Sequence, residues 1–443
     1  MLKKVLETIA IRYVVAALNL ALIFINGKAL GIHGMGVAGV IYASANIIFL
    51  FNSIFCGNTI VYHMNRYPLR YVIWPAYVWA FAGSAIACGA MALTGLLPAG
   101  FGAEVYGLAT LLSLVGIHSR VLLGKDRIKA FNATFMIQGG TLFFSLLYVY
   151  YVAGKQDVEG FLWGVYLSNV LAWLVSLLLL YPPGVRRAKK TQPAGLPPFF
   201  RLLKKMVAYG LWSSADNLTE GLTTRLNYFL LQRLSGYGQV GLLDAGTRIS
   251  ESVWHINRSI SSISYSQVAR TSDPEMQRQQ TLRFFKWTYG ALILVIGMIL
   301  LIPERIYTDY LFTAEFRGIR KVIGGLSVGI VMYGANNILS HYFIGTGKVK
   351  YSVACSCVGL LALLLSGSFL VPAQGVVGSA VSTSIAFSAM LLFSLTVFVR
   401  HTHTSLRELL PSGKFLCIPL CLLRRTLCKK KATQRDTEKR NDS

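Results

Sequence analysis

The chain has 443 residues, 54% of them hydrophobic and 14% charged, with 43 Lys and Arg against 18 Asp and Glu for a net charge of +25. A soluble domain carries about 25% charged residues, so composition excludes a chain that is water-facing throughout, and the basic excess reads as a membrane topology signal rather than a nucleic-acid footprint. Seven cysteines, mostly inside apolar runs and without zinc spacing, argue against a disulfide framework and a zinc site.

Taken in order, apolar runs able to cross a bilayer core of about 30 Å, which needs roughly 20 helical residues, lie at 8–30, 38–62, 70–97, 102–123, 129–153 and 160–181. Six more follow at 203–233, 237–268, 284–303, 318–345, 350–371 and 376–399. The first run is too long for a signal-peptide core and has no small-residue cleavage site after it, so it is expected to stay in place. None shows the alternation of a transmembrane barrel. The prediction is an all-α polytopic membrane protein of twelve transmembrane helices.

The intervening segments alternate in basic charge. Thirty-two Lys and Arg fall on one side, among them Arg66, Arg120, Lys125, seven between Arg186 and Lys205, and eleven from Arg400 onward. Seven fall on the other: Lys28, Lys155, Arg233, Arg305, Arg317, Arg320 and Lys321. By the positive-inside rule both termini are expected in the cytoplasm.

The Pro-rich basic stretch Pro182–Pro198 divides the chain into a six-helix lobe at 1–181, a linker at 182–202, a second six-helix lobe at 203–400 and a basic tail at 401–443. Three anchors relate the lobes. Lys28, Gly31 and Gly36 are matched by Arg233, Gly236 and Gly241 at an offset of 205. Gly124–Lys129 is similar to Gly345–Lys350, and Val158-Glu159-Gly160 to Val376-Val377-Gly378. Matching segments fall on the same side, so the repeats are parallel. Two such lobes around a midplane cavity are what an alternating-access transporter requires.

Here the chain resembles a family. Gly27-Lys28-Ala29-Leu30-Gly31 with Gly34-Met35-Gly36-Val37-Ala38-Gly39 resembles the first loop of Wzx-type polysaccharide and O-antigen flippases. So does Val240-Gly241-Leu242-Leu243-Asp244-Ala245, and Gly375-Val376-Val377-Gly378-Ser379-Ala380-Val381-Ser382-Thr383 is similar to the family's pattern at the start of the last span. These flippases belong to the multidrug/oligosaccharidyl-lipid/polysaccharide exporter superfamily, and the resemblance covers residues 1–400. It implies outward flipping of an undecaprenyl-pyrophosphate-linked oligosaccharide in the cell inner membrane, with glycosyltransferases and a polysaccharide polymerase as the expected protein partners. It also favours a phosphate contact for Lys28, whose plainer role is to extend its ammonium into interfacial water.

Other motifs are decoys. Gly34-x-Gly36-x-x-Gly39 matches the dinucleotide pattern but follows a membrane run rather than a strand. Gly345-Thr346-Gly347-Lys348 lacks P-loop spacing, and His401-x-His403 lacks acidic or Cys partners. No catalytic residue, cofactor, metal or nucleic-acid partner is expected, and the lipids of the bilayer are the remaining partners.

Charges inside spans say more. On the eighth span Asp244, Arg248, Glu251, His255 and Arg258 occupy about 80° of helical arc. On the seventh, Asp216, Glu220, Thr223 and Asn227 share a face, while Arg225 points the other way and needs its own partner. On the first, Arg12, Asn19 and Asn26 form a stripe seven residues apart. A midplane charge costs about 2.5–3.5 kcal/mol, so the charges on these spans must face one another, the other lobe or water.

One reading is a salt-bridge network knitting the seventh and eighth spans. The other is a cavity in which Arg12, Arg248 and Arg258 hold a pyrophosphate by their planar forks, with Asn19, Asn26 and Lys28 along the substrate path. Asp216 and Glu220 are then candidate ion-coupling groups. A multidrug/cation antiporter of the same superfamily is the runner-up; it needs an unpaired carboxylate, and the first six spans have none deep in the bilayer. A non-transporting scaffold for a polysaccharide synthase would pair all its embedded charges.

Overall fold

A computed structural model describes residues 2–64, 66–180, 199–254 and 273–405, with isolated positions between 257 and 268 and Glu408. His255, Arg258, the linker at 181–198 and the tail at 409–443 lie outside the described residues.

Among the described residues ten α-helices follow in chain order: α1 Leu2–Cys56, α2 Asn58–Met64, α3 Leu69–Leu93, α4 Gly102–Gly124, α5 Ile128–Leu147 and α6 Val158–Leu180. Then come α7 Phe199–Ser252, α8 Pro274–Leu301, α9 Ile319–Gly345 and α10 Val349–Thr402. Lipid offers no hydrogen bonds to backbone, so runs this apolar satisfy their own N–H and C=O groups as helix. Among the described residues eight helical stretches are long and apolar enough to cross a membrane. The chain is a multi-pass membrane protein.

The surface is inverted relative to a soluble protein. Trp74, Phe144, Phe369 and Leu392 are exposed, whereas Asn52 is buried and donates to Ser84 Oγ at 2.8 Å and Ser113 Oγ at 2.9 Å. Small polar residues bonded across helices hold such a bundle together, since apolar burial drives nothing in lipid.

Three expected pairs of spans run as single broken helices rather than as helices joined by loops. The breaks fall at Gly31 (φ 64°, ψ −178°) in α1, Gly236 (φ 77°, ψ 177°) in α7 and Gly375 (φ 55°, ψ −127°) in α10. One residue in a left-handed conformation redirects the chain, and glycine adopts it without a Cβ clash. The expected loops at 31–37, 234–236 and 372–375 are therefore one-residue corners.

α1 and α7 cross at the centre, with α3–α6 packed around α1 and α9 and α10 around α7. The crossing is a glycine seam. A side chain at Gly36 would run into the carbonyl oxygen of Tyr237, and one at Gly241 into the carbonyl oxygen of Ile32. Backbones this close tolerate no Cβ.

Candidate functional site

Below the seam, between α1 and α7, lies a cavity of about 230 Å³. Asn19, Asn26 and Tyr42 of α1 line one wall, and Asp244, Arg248 and Glu251 of α7 the other. The latter three share a wall because residues four and three apart fall on one helix face.

The charges form a continuous chain. Arg225 donates from Nη2 to Glu251 Oε2 at 2.8 Å and from Nη1 to the Tyr228 hydroxyl at 3.0 Å. That hydroxyl donates to Asp244 Oδ1 at 3.1 Å, and Arg248 Nε donates to Asp244 Oδ2 at 2.7 Å. Two arginines thus meet two carboxylates, so none of the four buried charges is left uncompensated, the arrangement that would cost most. Arg225 leaves its own helix face as its spacing predicts and finds its partner on the other limb of α7.

Arg248 differs from the rest of this chain of groups. Its side chain is 34% exposed against 5% for Asp244. Its guanidinium carbon stands 5.7 Å from the centre of the Tyr42 ring. Its hydrogen bond to Asp244 is made through Nε, and Arg248 is one of the residues that line the cavity. Across from it, Asn26 Oδ1 accepts from Tyr150 Oη at 3.0 Å, which fixes the amide. Gly39 is also part of the site: a Cβ there would sit 3.3 Å from the Asp244 carboxyl carbon, so a larger residue would push that carboxylate.

The remaining candidates fall elsewhere. Arg12 and Lys28 are exposed and do not line the cavity. Asp216 accepts from Ser352 Oγ at 2.8 Å and Ser356 Oγ at 2.5 Å, and Glu220 accepts from Tyr333 Oη. Asn227, on the same stripe, donates to Ser379 O, Ser382 Oγ and Thr383 Oγ1 at 2.9 Å. This face of α7 turns toward α9 and α10 and away from the central cavity. The seventh span thus carries two polar systems with different partners. Tyr42 and Trp254, which line the cavity, and Tyr228, which bridges Arg225 and Asp244, escape the sequence reading, because aromatic residues in apolar spans give no signal of their own.

No family model matches the chain, and no curated protein matches it by sequence. Solved structures do. An inward-facing multidrug resistance MATE family transporter of the MOP superfamily superposes with a TM-score of 0.67 at 16% identity, over 88% of this chain and 94% of that one. The lipid II flippase MurJ in an inward closed conformation gives 0.63 at 13% identity, over 92% and 89%. An outward-facing MATE family transporter gives 0.59 at 14% identity, over 90% and 94%. The fold is that of MOP-superfamily transporters.

Proposed function

We propose that the chain is a twelve-span, two-lobed secondary transporter that flips a polyprenyl-pyrophosphate-linked oligosaccharide from the cytoplasmic to the outer leaflet of the inner membrane by alternating access. Eight long apolar stretches become twelve spans when the breaks in α1 and α10 are counted and both limbs of α7 are added. The observation that supports the reading is Arg248: a cation on the cavity wall, 5.7 Å from the centre of the Tyr42 ring, whose hydrogen bond to Asp244 uses Nε and not its terminal fork. A guanidinium fork matches the oxygens of a phosphate bidentately. Asn19 and Asn26 face it and offer uncharged donors and acceptors to sugar hydroxyls.

Arg12 at the cytoplasmic end of the first limb and Lys28 at the outer end contact the headgroup as it enters and leaves. Arg258 continues the Arg248 face of the sequence stripe. The prenyl chain stays in lipid, since about 0.8 kcal/mol per CH₂ opposes drawing it into water. With no nucleotide motif, the membrane potential drives the anion outward at about 2.3 kcal/mol per charge per 100 mV. A cation entering at Asp216 or Glu220 resets the empty transporter. Glycosyltransferases on the inner face and a polymerase on the outer face are the fitting partners.

The runner-up, a multidrug/cation antiporter, gains support from the two carboxylates on the cavity wall and from the MATE-like fold. Both carboxylates are occupied by arginine, at 2.7 Å for Asp244 and 2.8 Å for Glu251, which leaves a cationic drug no open partner there. Proteoliposomes separate the two. A fluorescent lipid-linked sugar should cross with the purified protein while a cationic dye does not; dye efflux without sugar flipping would reverse the assignment.

A further inference from the structure

We infer that the outer side of the transporter is held shut by a reciprocal clasp, in which the corner of each half is gripped by a loop from the other half. The inference takes its inside and outside from the proposed topology but needs no particular substrate.

The first clasp closes on the corner of α1. The break at Gly31 makes Ile32 N–H the first donor of the second limb, where helix geometry supplies no acceptor. Glu315, in the segment between α8 and α9, supplies one: its Oε2 accepts from Ile32 N at 3.0 Å. The carboxylate thus sits at the positive end of a helix limb, the favourable place for an anion. Phe312 of the same segment lies edge-on to Phe24, ring centres 5.3 Å apart, and against Gly27.

The second clasp closes on the corner of α7. Three residues before the break at Gly236, Arg233 donates from Nη2 to the carbonyl oxygen of Thr94. Thr94 is the residue that ends α3, so this cation meets the negative end of a helix. Gly95 (φ 63°) follows, and a Cβ there would stand 2.6 Å from that Nη2. The gripping segments, 94–101 between α3 and α4 and 302–318 between α8 and α9, join corresponding helices of the two halves.

The glycine seam between the clasps has the same exchange symmetry. Gly36 meets the carbonyl of Tyr237, and Gly241 meets the carbonyl of Ile32. Gly36 and Gly241, Ile32 and Tyr237, Gly31 and Gly236 are all separated by 205. A contact set that maps onto itself when the partners are exchanged is the signature of a two-fold relation. The outer side therefore has two fastenings, one at the corner of each half. One ends in an anion and the other in a cation, and opening breaks both.

The test is accessibility from outside. A single cysteine replaces Asn26 in a cysteine-free background, and its reaction with a membrane-impermeant maleimide is timed in right-side-out vesicles. Glu315→Ala and Arg233→Ala should each raise the rate by about tenfold, the worth of a hydrogen bond to a charged group, and together by more. A second pair, His33→Cys with Tyr237→Cys, replaces rings whose centres are 5.6 Å apart across the seam. Bridging those thiols with a short bifunctional reagent should abolish outside labelling at Asn26→Cys in an otherwise intact clasp, and reductive release should restore it. Unchanged labelling in both alanine variants, or full labelling of the bridged protein, would overturn the clasp. Loss of sugar flipping alone bears on the proposed substrate and not on this inference.

Discussion

α1 and α7 share a chassis and differ in chemistry. Both are broken at a glycine with positive φ, 205 residues apart, and both carry a glycine five residues later at the crossing. Past the crossing they part. Gly39 of α1 corresponds to Asp244 of α7, and the two touch; Ala43 corresponds to Arg248 and Asn46 to Glu251. Positions where backbones meet admit one residue type in both halves, whereas positions facing the cavity are free to differ. The charge therefore sits on one side of the cavity: its wall from α7 is ionic, and its wall from α1 is amide and aromatic.

The largest effect should come from the charged wall. Arg248→Ala is expected to lower flipping of a pyrophosphate-linked sugar by about 100-fold, while Arg248→Lys keeps the charge, loses the fork and retains partial activity. The double variant Arg248→Ala with Asp244→Ala separates the roles: normal export by it would mean that Arg248 serves only its ion pair.

The shared chassis comes next. Gly36→Val or Gly241→Val forces a branched side chain into a carbonyl of the other helix, and overpacking of this kind costs about 3 kcal/mol. Thermal denaturation in detergent should show a clear drop in midpoint for either variant. Gly238→Ala, two residues past the α7 corner where nothing lies within 4 Å, should leave the midpoint in place. Equal behaviour at all three positions would mean that the close crossing is not what stabilises the centre.

Tyr228→Phe should act more weakly. It removes the hydroxyl between Arg225 and Asp244 and leaves Asp244 Oδ1 without that donor, a loss of about 1–2 kcal/mol seen as a smaller midpoint shift. Smallest of all is Lys28→Ala. Lys28 is exposed and off the cavity wall and meets the headgroup only as it leaves, so flipping should fall by about twofold to threefold; a tenfold loss would move the binding region toward the outer corner.

Much of this arrangement is legible in the sequence, for identifiable reasons. Apolar runs report the helices because lipid allows few alternatives, and a spacing of 100° per residue puts Asp244, Arg248 and Glu251 on one wall. The glycines at 31, 36, 236 and 241 stand out as a repeated pattern. Whether they mark loops or a single-residue corner is not written there, because that depends on a conformation and on a neighbour some 205 residues away. Partner choice was hidden for the same reason. The spacing shows that Arg225 faces away from Asp216, but not that Glu251 receives it. Nor does it show that Asp216 turns to the serines at 352 and 356.

The most direct measurement is retention of the ligand itself. Native mass spectrometry of the purified protein mixed with a polyprenyl-pyrophosphate-linked sugar should show a one-to-one complex for the wild type. Arg248→Ala should lose that complex, and the matching polyprenol without pyrophosphate should not form one. Equal retention of the pyrophosphate lipid by wild type and Arg248→Ala, or equal binding of the uncharged polyprenol, would contradict the assignment of Arg248 as the anion-holding group of the cavity.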